Sequence, residues 1–140
     1  DLGSSLAKEL TGGDFVALKG ELGTGKTVFV KGLAKGLGIK DYLYVNSPSF
    51  VVLKEYHGKK DLYHFDIYRL SEKSFEETLD YEKYFYGSGI TVVEWADKIR
   101  DVLPDEDMEI AIEYGKKETE RVFTFTPRGK RFEKAVESIK

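Results

Sequence analysis

The stretch Gly20-Glu21-Leu22-Gly23-Thr24-Gly25-Lys26-Thr27 decides the fold of this chain. It matches the phosphate-binding pattern G-x-x-x-x-G-K-S/T at every fixed position. Phosphate binding needs successive backbone N–H groups that point inward, and glycine reaches the required backbone angles because it has no β-carbon to clash. The four fixed positions would coincide by chance in about one such chain per hundred. We therefore interpret the stretch as a phosphate-binding loop (P-loop) and not as a glycine-rich turn.

The residues on either side of the loop predict a strand before it and a helix after it. Phe15 to Leu18 form a short apolar run, which is typical of a strand covered on both faces. After the loop, apolar residues keep helical spacing: Phe29, Val30, Leu33, Ala34 and Leu37. The first turn of this helix, which includes Val28, would present its positive end to an anion. Lys26 can then reach the β- and γ-phosphates of a nucleotide, and the Thr27 hydroxyl can bind Mg²⁺.

The remaining patterns predict one α/β domain. Two pairs of strand-like segments indicate antiparallel hairpins, an apolar run indicates a further strand, and Ser74-Phe75-Glu76-Glu77 fits a capping box that opens a helix. The predicted hairpins are 50–56 with 61–66 and 108–114 with 121–126, the further strand is 90–93, and the helix is 75–86. We predict a single P-loop NTPase domain over residues 1–140, with a mixed parallel and antiparallel central sheet flanked by helices.

Composition excludes several classes of protein. The chain has no cysteine, which rules out a disulfide scaffold and thiol catalysis, and its two isolated histidines argue against a zinc site. Its 25 acidic and 22 basic residues leave a net charge of −3, which argues against broad adhesion to nucleic acid. No apolar run is long enough for a membrane span, so we expect a soluble cytoplasmic protein. Because the chain opens with Asp1, we also expect a few N-terminal residues to be missing.

Two acidic residues compete for the role of the acid that a P-loop enzyme places beside its magnesium ion. Asp66 ends the strand-like run 62–65, and Glu94 ends the run 90–93. An acid at the end of a neighbouring strand can hold Mg²⁺, directly or through water, or orient the attacking water. Both residues have the same form, an apolar strand followed by an acid. The pattern therefore leaves the choice between them open.

Four segments in order resemble one known family. They are GELGTGKT at 20–27, Ser47-Pro48-Ser49-Phe50, His64-Phe65-Asp66-Ile67-Tyr68-Arg69-Leu70 and Val93-Glu94-Trp95. Together they are similar to the bacterial TsaE family, also called YjeE, from about Leu2 to about Phe125. That family consists of small P-loop ATPases needed to form threonylcarbamoyladenosine on tRNA. The resemblance implies ATP or ADP and Mg²⁺ as the bound cofactors.

The resemblance also implies roles for individual residues. Gly23 to Lys26 would hold the phosphates, and Thr27 and Glu94 would serve Mg²⁺. Asp66 would be the Walker-B-like acid, acting through water. Trp95 would lie beside the nucleotide, and Arg121 would approach it from the C-terminal hairpin. The segment 47–50 would lie near the γ-phosphate, with Ser49 where the family usually has threonine.

The family's partners are the TsaB and TsaD proteins, and the resemblance implies an ATPase that drives or resets them. Contact with tRNA would be local or indirect, given the net charge. Two other functions remain open, a small nucleotide or nucleoside kinase and an adaptor that binds ATP without hydrolysing it. A kinase is disfavoured because no arginine pair at helical spacing, as a lid would need, occurs between Gly38 and Glu94. A GTPase is disfavoured because N-K-x-D is absent.

Overall fold

The P-loop strand lies inside a mixed sheet. The computed structural model describes residues 2–21, 23–46, 52–78 and 80–139. Within these ranges the sheet has six strands in the order β2-β3-β4-β1-β5-β6. They are β1 (Phe15–Lys19), β2 (Leu53–Tyr56), β3 (Leu62–Asp66), β4 (Ile90–Glu94), β5 (Asp107–Tyr114) and β6 (Arg121–Arg128).

The four central strands, β3, β4, β1 and β5, run parallel, and an antiparallel hairpin closes each edge. Every residue of β4 is buried, as expected for a parallel strand with layers on both sides. Because parallel strands end at the same edge of a sheet, the residues after β1, β3 and β4 meet there. The expected α/β architecture and the two antiparallel hairpins are confirmed, although the first strand, predicted over 50–56, begins at Leu53, and residues 50–51 lie outside the described residues.

Helices cover both faces of the sheet. On one face, α1 (Leu2–Ala7), α2 (Lys26–Gly36) and α5 (Lys130–Ile139) pack on a core that includes Val16, Leu18 and Val92. On the other face, α3 (Glu72–Thr78), α4 (Tyr81–Phe85) and a 3-10 segment (Ala96–Val102) pack on a core with Phe15, Ala17 and Phe65. Alternate residues of a strand therefore serve different cores. Among the described helices, none is long and apolar enough to cross a membrane.

The helix that follows the P-loop is held tightly in place. Val30 and Leu33 of α2 are fully buried against the sheet. On its other side α1 approaches so closely that a β-carbon at Gly3 would lie 2.7 Å from the backbone oxygen of Phe29. A β-carbon at Gly36 would lie 2.5 Å from that of Ala7. These contacts fix the helix that carries Lys26 and Thr27.

The prediction of a single helix over 75–86 is wrong, both in where the helix begins and in treating it as unbroken. The chain forms two short helices, α3 and α4, and the first of them begins at Glu72. Ser71 caps α3, because its Oγ accepts the N–H of Ser74 at 3.1 Å. Asp80, with φ −82° and ψ 62°, separates the two helices. The capping pattern therefore lies three residues earlier than the sequence suggested.

Candidate nucleotide-binding site

The P-loop joins the end of β1 to the start of α2. Gly23 and Gly25 have φ values of 82° and 101°, which residues with a β-carbon rarely adopt. Thr24 closes a turn within the loop, since its hydroxyl donates to the backbone oxygen of Glu21 at 2.8 Å. The first N–H groups of α2 have no partner within the helix, as at any helix start. Leu22 lies outside the described residues.

Lys26 folds back onto the loop that precedes it. Its ammonium donates to the backbone oxygens of Gly20 at 2.6 Å and Glu21 at 3.0 Å. It also lies 4.0 Å from the centre of the Trp95 ring, a cation–π distance. Burial lowers the pKa of this ammonium, and the nearby carboxylates, chiefly those of Glu94 and Asp66, oppose the shift. A phosphate that binds here would replace the two carbonyl contacts.

The two candidate acids lie side by side. Asp66 at the end of β3 pairs with Glu94 at the end of β4 in the parallel register, and both are buried. The two carboxylate oxygens of Glu94 each lie 3.4 Å from the Thr27 hydroxyl on α2. Asp66 directs one oxygen to the N–H of Tyr68 at 3.0 Å. The strand pattern in the sequence did not distinguish Asp66 from Glu94. The structure does, because it places the Glu94 carboxylate next to the Thr27 hydroxyl.

Trp95 takes a strained backbone conformation immediately after Glu94. Its φ of 66° is unusual for a bulky residue and costs energy on the order of 1–3 kcal/mol. The ring contacts the Lys26 ammonium on one side and Tyr68 on another, with 4.9 Å between the two ring centres. Strain of this kind concentrates at functional sites. The structure thus places the Trp95 ring beside the lysine of the P-loop.

Arg121 reaches the P-loop from β6. Its Nε donates to the backbone oxygen of Thr24 at 3.1 Å, and its guanidinium stacks on Tyr114, 4.5 Å from the ring centre. Tyr114 itself lies against the loop, because a β-carbon at Gly23 would be 2.8 Å from its hydroxyl. Sequence reasoning did not single out Tyr114. Its position at the end of a strand next to β1 was the available signal.

A cavity of about 340 Å³ collects most of these groups. It is lined by Gly23, Gly25, Lys26, Thr27, Val28, Asp66 and Glu94. Val28, which follows Thr27 on α2, is largely exposed. A second cavity of about 490 Å³ begins at Gly20 and Thr24 and extends along Trp95 and Tyr114. The segment 47–50, expected near the γ-phosphate, lies outside the described residues.

His64 is a further member of this site. It is fully buried, and its Nε2 lies 2.5 Å from Glu94 Oε2. His64 and Asp66 are two residues apart on β3, and residues at that spacing in a strand face the same side of the sheet. This spacing was the signal in the sequence that His64 lies near the site. The chief residues expected at the site therefore lie close together, and His64 contacts one of them, Glu94. They are Lys26, Thr27, Asp66, Glu94 and Trp95.

A strand, a glycine loop and a helix, with acids at the ends of parallel neighbouring strands, define the class of P-loop NTPases. Comparison with known proteins then places the chain within that class. The family model described as "Threonylcarbamoyl adenosine biosynthesis protein TsaE" matches residues 1–123. The chain belongs to the TsaE family, and its family role lies in the biosynthesis of threonylcarbamoyladenosine in tRNA.

Individual relatives agree with this assignment. The tRNA threonylcarbamoyladenosine biosynthesis protein TsaE of Bacillus subtilis is 45% identical over 128 residues, which cover 91% of this chain and 78% of that protein. The protein of the same name from Streptomyces coelicolor is 37% identical over 146 residues, with 99% and 97% covered. The crystal structure of Bacillus subtilis YdiB matches with a TM-score of 0.81 and 37% identity, covering 99% of this chain and 84% of that one.

Proposed function

We propose that this chain binds ATP with Mg²⁺ and hydrolyses it slowly, and that this hydrolysis drives or resets a complex of TsaB and TsaD during tRNA modification. The observation that carries the proposal is the convergence of four side chains from three elements. Lys26 and Thr27 start α2, while Asp66 and Glu94 end β3 and β4. All four line one cavity directly in front of the P-loop.

The residues at the site fit Mg²⁺. This ion prefers oxygen ligands and usually keeps several waters, with one or two protein groups and substrate phosphates completing its shell. The Thr27 hydroxyl and the Glu94 carboxylate, 3.4 Å apart, are such groups. Among the described residues no cluster of three or more His, Cys, Asp or Glu side chains could hold a metal alone. A site of this kind would need the phosphates of a nucleotide to be complete.

The proposed mechanism is in-line attack of water on the γ-phosphorus, in which the bond from phosphorus to the β–γ bridging oxygen breaks, ADP leaves opposite the water, and the water gives up a proton as inorganic phosphate forms. The Lys26 ammonium exchanges its contacts with Gly20 and Glu21 for phosphate oxygens and neutralises their charge. Bound Mg²⁺ would withdraw further charge from the same oxygens. Asp66 lies beside Glu94 and lines the same cavity, and in this mechanism it orients the attacking water, directly or through a second water. Positioning and electrostatics supply most of the catalysis in phosphoryl transfer.

The end of the sheet that carries the site also suits a protein partner. Val28 is largely exposed, and Tyr68, Tyr114 and Val122 are partly exposed. Val28 follows the P-loop on α2, Tyr68 follows β3, Tyr114 ends β5, and Val122 pairs with Glu113 near the start of β6. Aromatic and apolar groups around a site are typical of an interface. We therefore propose that TsaB and TsaD act on the nucleotide cycle at this end, and that tRNA contact is indirect at most.

Phosphate release tests the proposal. We expect purified chain to release phosphate from ATP slowly, and the TsaB–TsaD complex to change that rate by about tenfold or more, as partner completion of a site can do. The control for contaminating ATPases is the Lys26→Ala variant prepared in the same way.

The alternatives give different outcomes in the same assay. Absence of phosphate with and without partners would contradict hydrolysis and leave an ATP-binding adaptor. Transfer of phosphate to an added nucleoside, instead of to water, would indicate a kinase. A rate that TsaB and TsaD leave unchanged would contradict the proposed partnership.

A further inference from the structure

We propose that His64 is a positioning residue for the magnesium site, and that its imidazole holds the Glu94 carboxylate in the orientation that faces Thr27. The inference rests on the proposed function, because it concerns how Glu94 takes part in Mg²⁺ and ATP binding. His64 Nε2 lies 2.5 Å from Glu94 Oε2, the shortest contact of that carboxylate in the described part of the chain.

The place of His64 in the fold calls for an explanation. It faces the core between the sheet and α2, in the same layer as Leu62, Ile90 and Val92, and it is fully buried. An apolar side chain is the usual occupant of such a position, since a buried polar group costs free energy unless it is hydrogen-bonded. His64 pairs with Val92 in the register, so it reaches diagonally forward to Glu94.

The direction of the hydrogen bond follows from the ring's other nitrogen. Nδ1 of His64 is buried and has no hydrogen-bond partner among the described residues. A proton on Nδ1 would therefore be a buried donor without an acceptor, whereas a lone pair there is less costly. The tautomer that fits places the proton on Nε2, which donates to Glu94.

The consequence is a carboxylate fixed from behind. Glu94 is 2% exposed, so water cannot readily replace a lost hydrogen bond. Apart from His64, the hydrogen-bond partner of the carboxylate in the described part of the chain is the Thr27 hydroxyl, at 3.4 Å from both oxygens, which is long. Groups that orient a metal-binding side chain from behind typically change metal affinity or activity by about 10- to 100-fold when they are removed. His64 occupies that place relative to Glu94.

The test measures ATP binding by calorimetry over a series of Mg²⁺ concentrations, for wild type, His64→Leu and His64→Gln. We expect His64→Leu to raise the Mg²⁺ concentration that half-saturates the enhancement of ATP binding by about 10- to 100-fold. ATP binding without Mg²⁺ should stay near the wild-type value, because the P-loop is unchanged. His64→Gln keeps an N–H donor and should recover most of the Mg²⁺ dependence.

Two further comparisons make the outcome decisive. If His64 acts through Glu94, adding His64→Leu to the Glu94→Gln variant should cause no further loss of Mg²⁺ dependence. A further loss as large as the one that His64→Leu causes in the wild-type protein would overturn the inference. So would a His64→Leu variant with wild-type Mg²⁺ dependence, or a His64→Gln variant as impaired as His64→Leu. If His64→Leu fails to fold, as judged by thermal unfolding, His64→Met supplies the variant without a donor.

The wild-type titration separates this inference from the function on which it rests. If wild-type protein binds no ATP, or if its ATP binding does not change with Mg²⁺ concentration, the proposed function is overturned, and the inference with it. Wild-type protein with normal Mg²⁺ dependence, together with unaffected histidine variants, would overturn the inference alone.

Discussion

Replacing Lys26 with alanine is expected to weaken ATP binding by about 100-fold or more and to abolish phosphate release. The ammonium is the positive side chain in the lining of the cavity in front of the loop, and charge-assisted hydrogen bonds contribute about 1.5–3 kcal/mol each. In the structure the group is already held at the loop by Gly20 and Glu21, so little reorganisation is needed to meet a phosphate. Calorimetric titration with ATP measures the loss.

Lys35→Ala is the matched control for this prediction. Lys35 lies on the same helix but is exposed near the other end, where its ammonium is 5.6 Å from the centre of the Tyr42 ring. Its loss should leave ATP affinity within about twofold of wild type, as is usual for surface substitutions. The assignment of the P-loop would be contradicted by a Lys26→Ala protein that is folded and binds ATP as tightly as the control.

Glu94→Gln is expected to lower phosphate release by at least about 100-fold while ATP still binds. The substitution keeps the shape of the side chain and an oxygen that can accept from His64, but it removes the negative charge beside Thr27. The P-loop and Lys26 remain, so ATP affinity without Mg²⁺ should change little. Single-turnover phosphate release and titrations with and without Mg²⁺ measure the two effects.

Asp66→Asn is the informative comparison for Glu94→Gln. The two acids are neighbours in the register, and the Glu94 carboxylate lies 3.4 Å from the Thr27 hydroxyl. We expect both substitutions to slow hydrolysis, and Glu94→Gln alone to reduce the Mg²⁺ dependence of ATP binding. The reverse pattern, with Mg²⁺ dependence lost in Asp66→Asn and kept in Glu94→Gln, would mean that Asp66 is the metal ligand. Glu76→Gln, an exposed position on α3, should leave both properties unchanged.

The architecture around the P-loop could be predicted because its signals are local. The glycines of the loop, the apolar run before it and the helical spacing after it are independent of the rest of the chain. The edge hairpins also follow from short β-branched and aromatic runs separated by turns. Strand order could not be derived in this way, since the pairing of β1 with both β4 and β5 depends on contacts distant in sequence.

The choice between Asp66 and Glu94 shows most clearly what the local sequence pattern cannot predict. Each follows an apolar strand, so local pattern treats them alike. The distinction comes from the position of α2, which places the Thr27 hydroxyl 3.4 Å from Glu94. The contact of His64 with Glu94 likewise depends on the register of β3 with β4. The contacts within the site therefore depend on how α2 packs on the sheet and how the strands pair. These cannot be derived from any single segment of the sequence.

The broken helix after Ser71 has a tertiary cause. Phe75 of α3 and Phe85 of α4 both pack into the core beneath Phe65, with ring centres 6.1 Å and 5.6 Å from it. Phe85 also meets Phe15 at 4.6 Å. Two short helices bring these rings onto the same side of the sheet. The capping pattern at Ser74 carried no information about that packing, whereas Ser71 offered an equally good cap.

A crystal structure of this chain with Mg²⁺ and a non-hydrolysable ATP analogue is the most direct test of the proposed site. We predict that the β- and γ-phosphates lie in the loop 20–27 with Lys26 on their oxygens, and that Mg²⁺ lies between those phosphates, Thr27 and Glu94. Phosphates bound outside the loop, or a magnesium ion remote from both Thr27 and Glu94, would contradict the proposed site and the mechanism built on it.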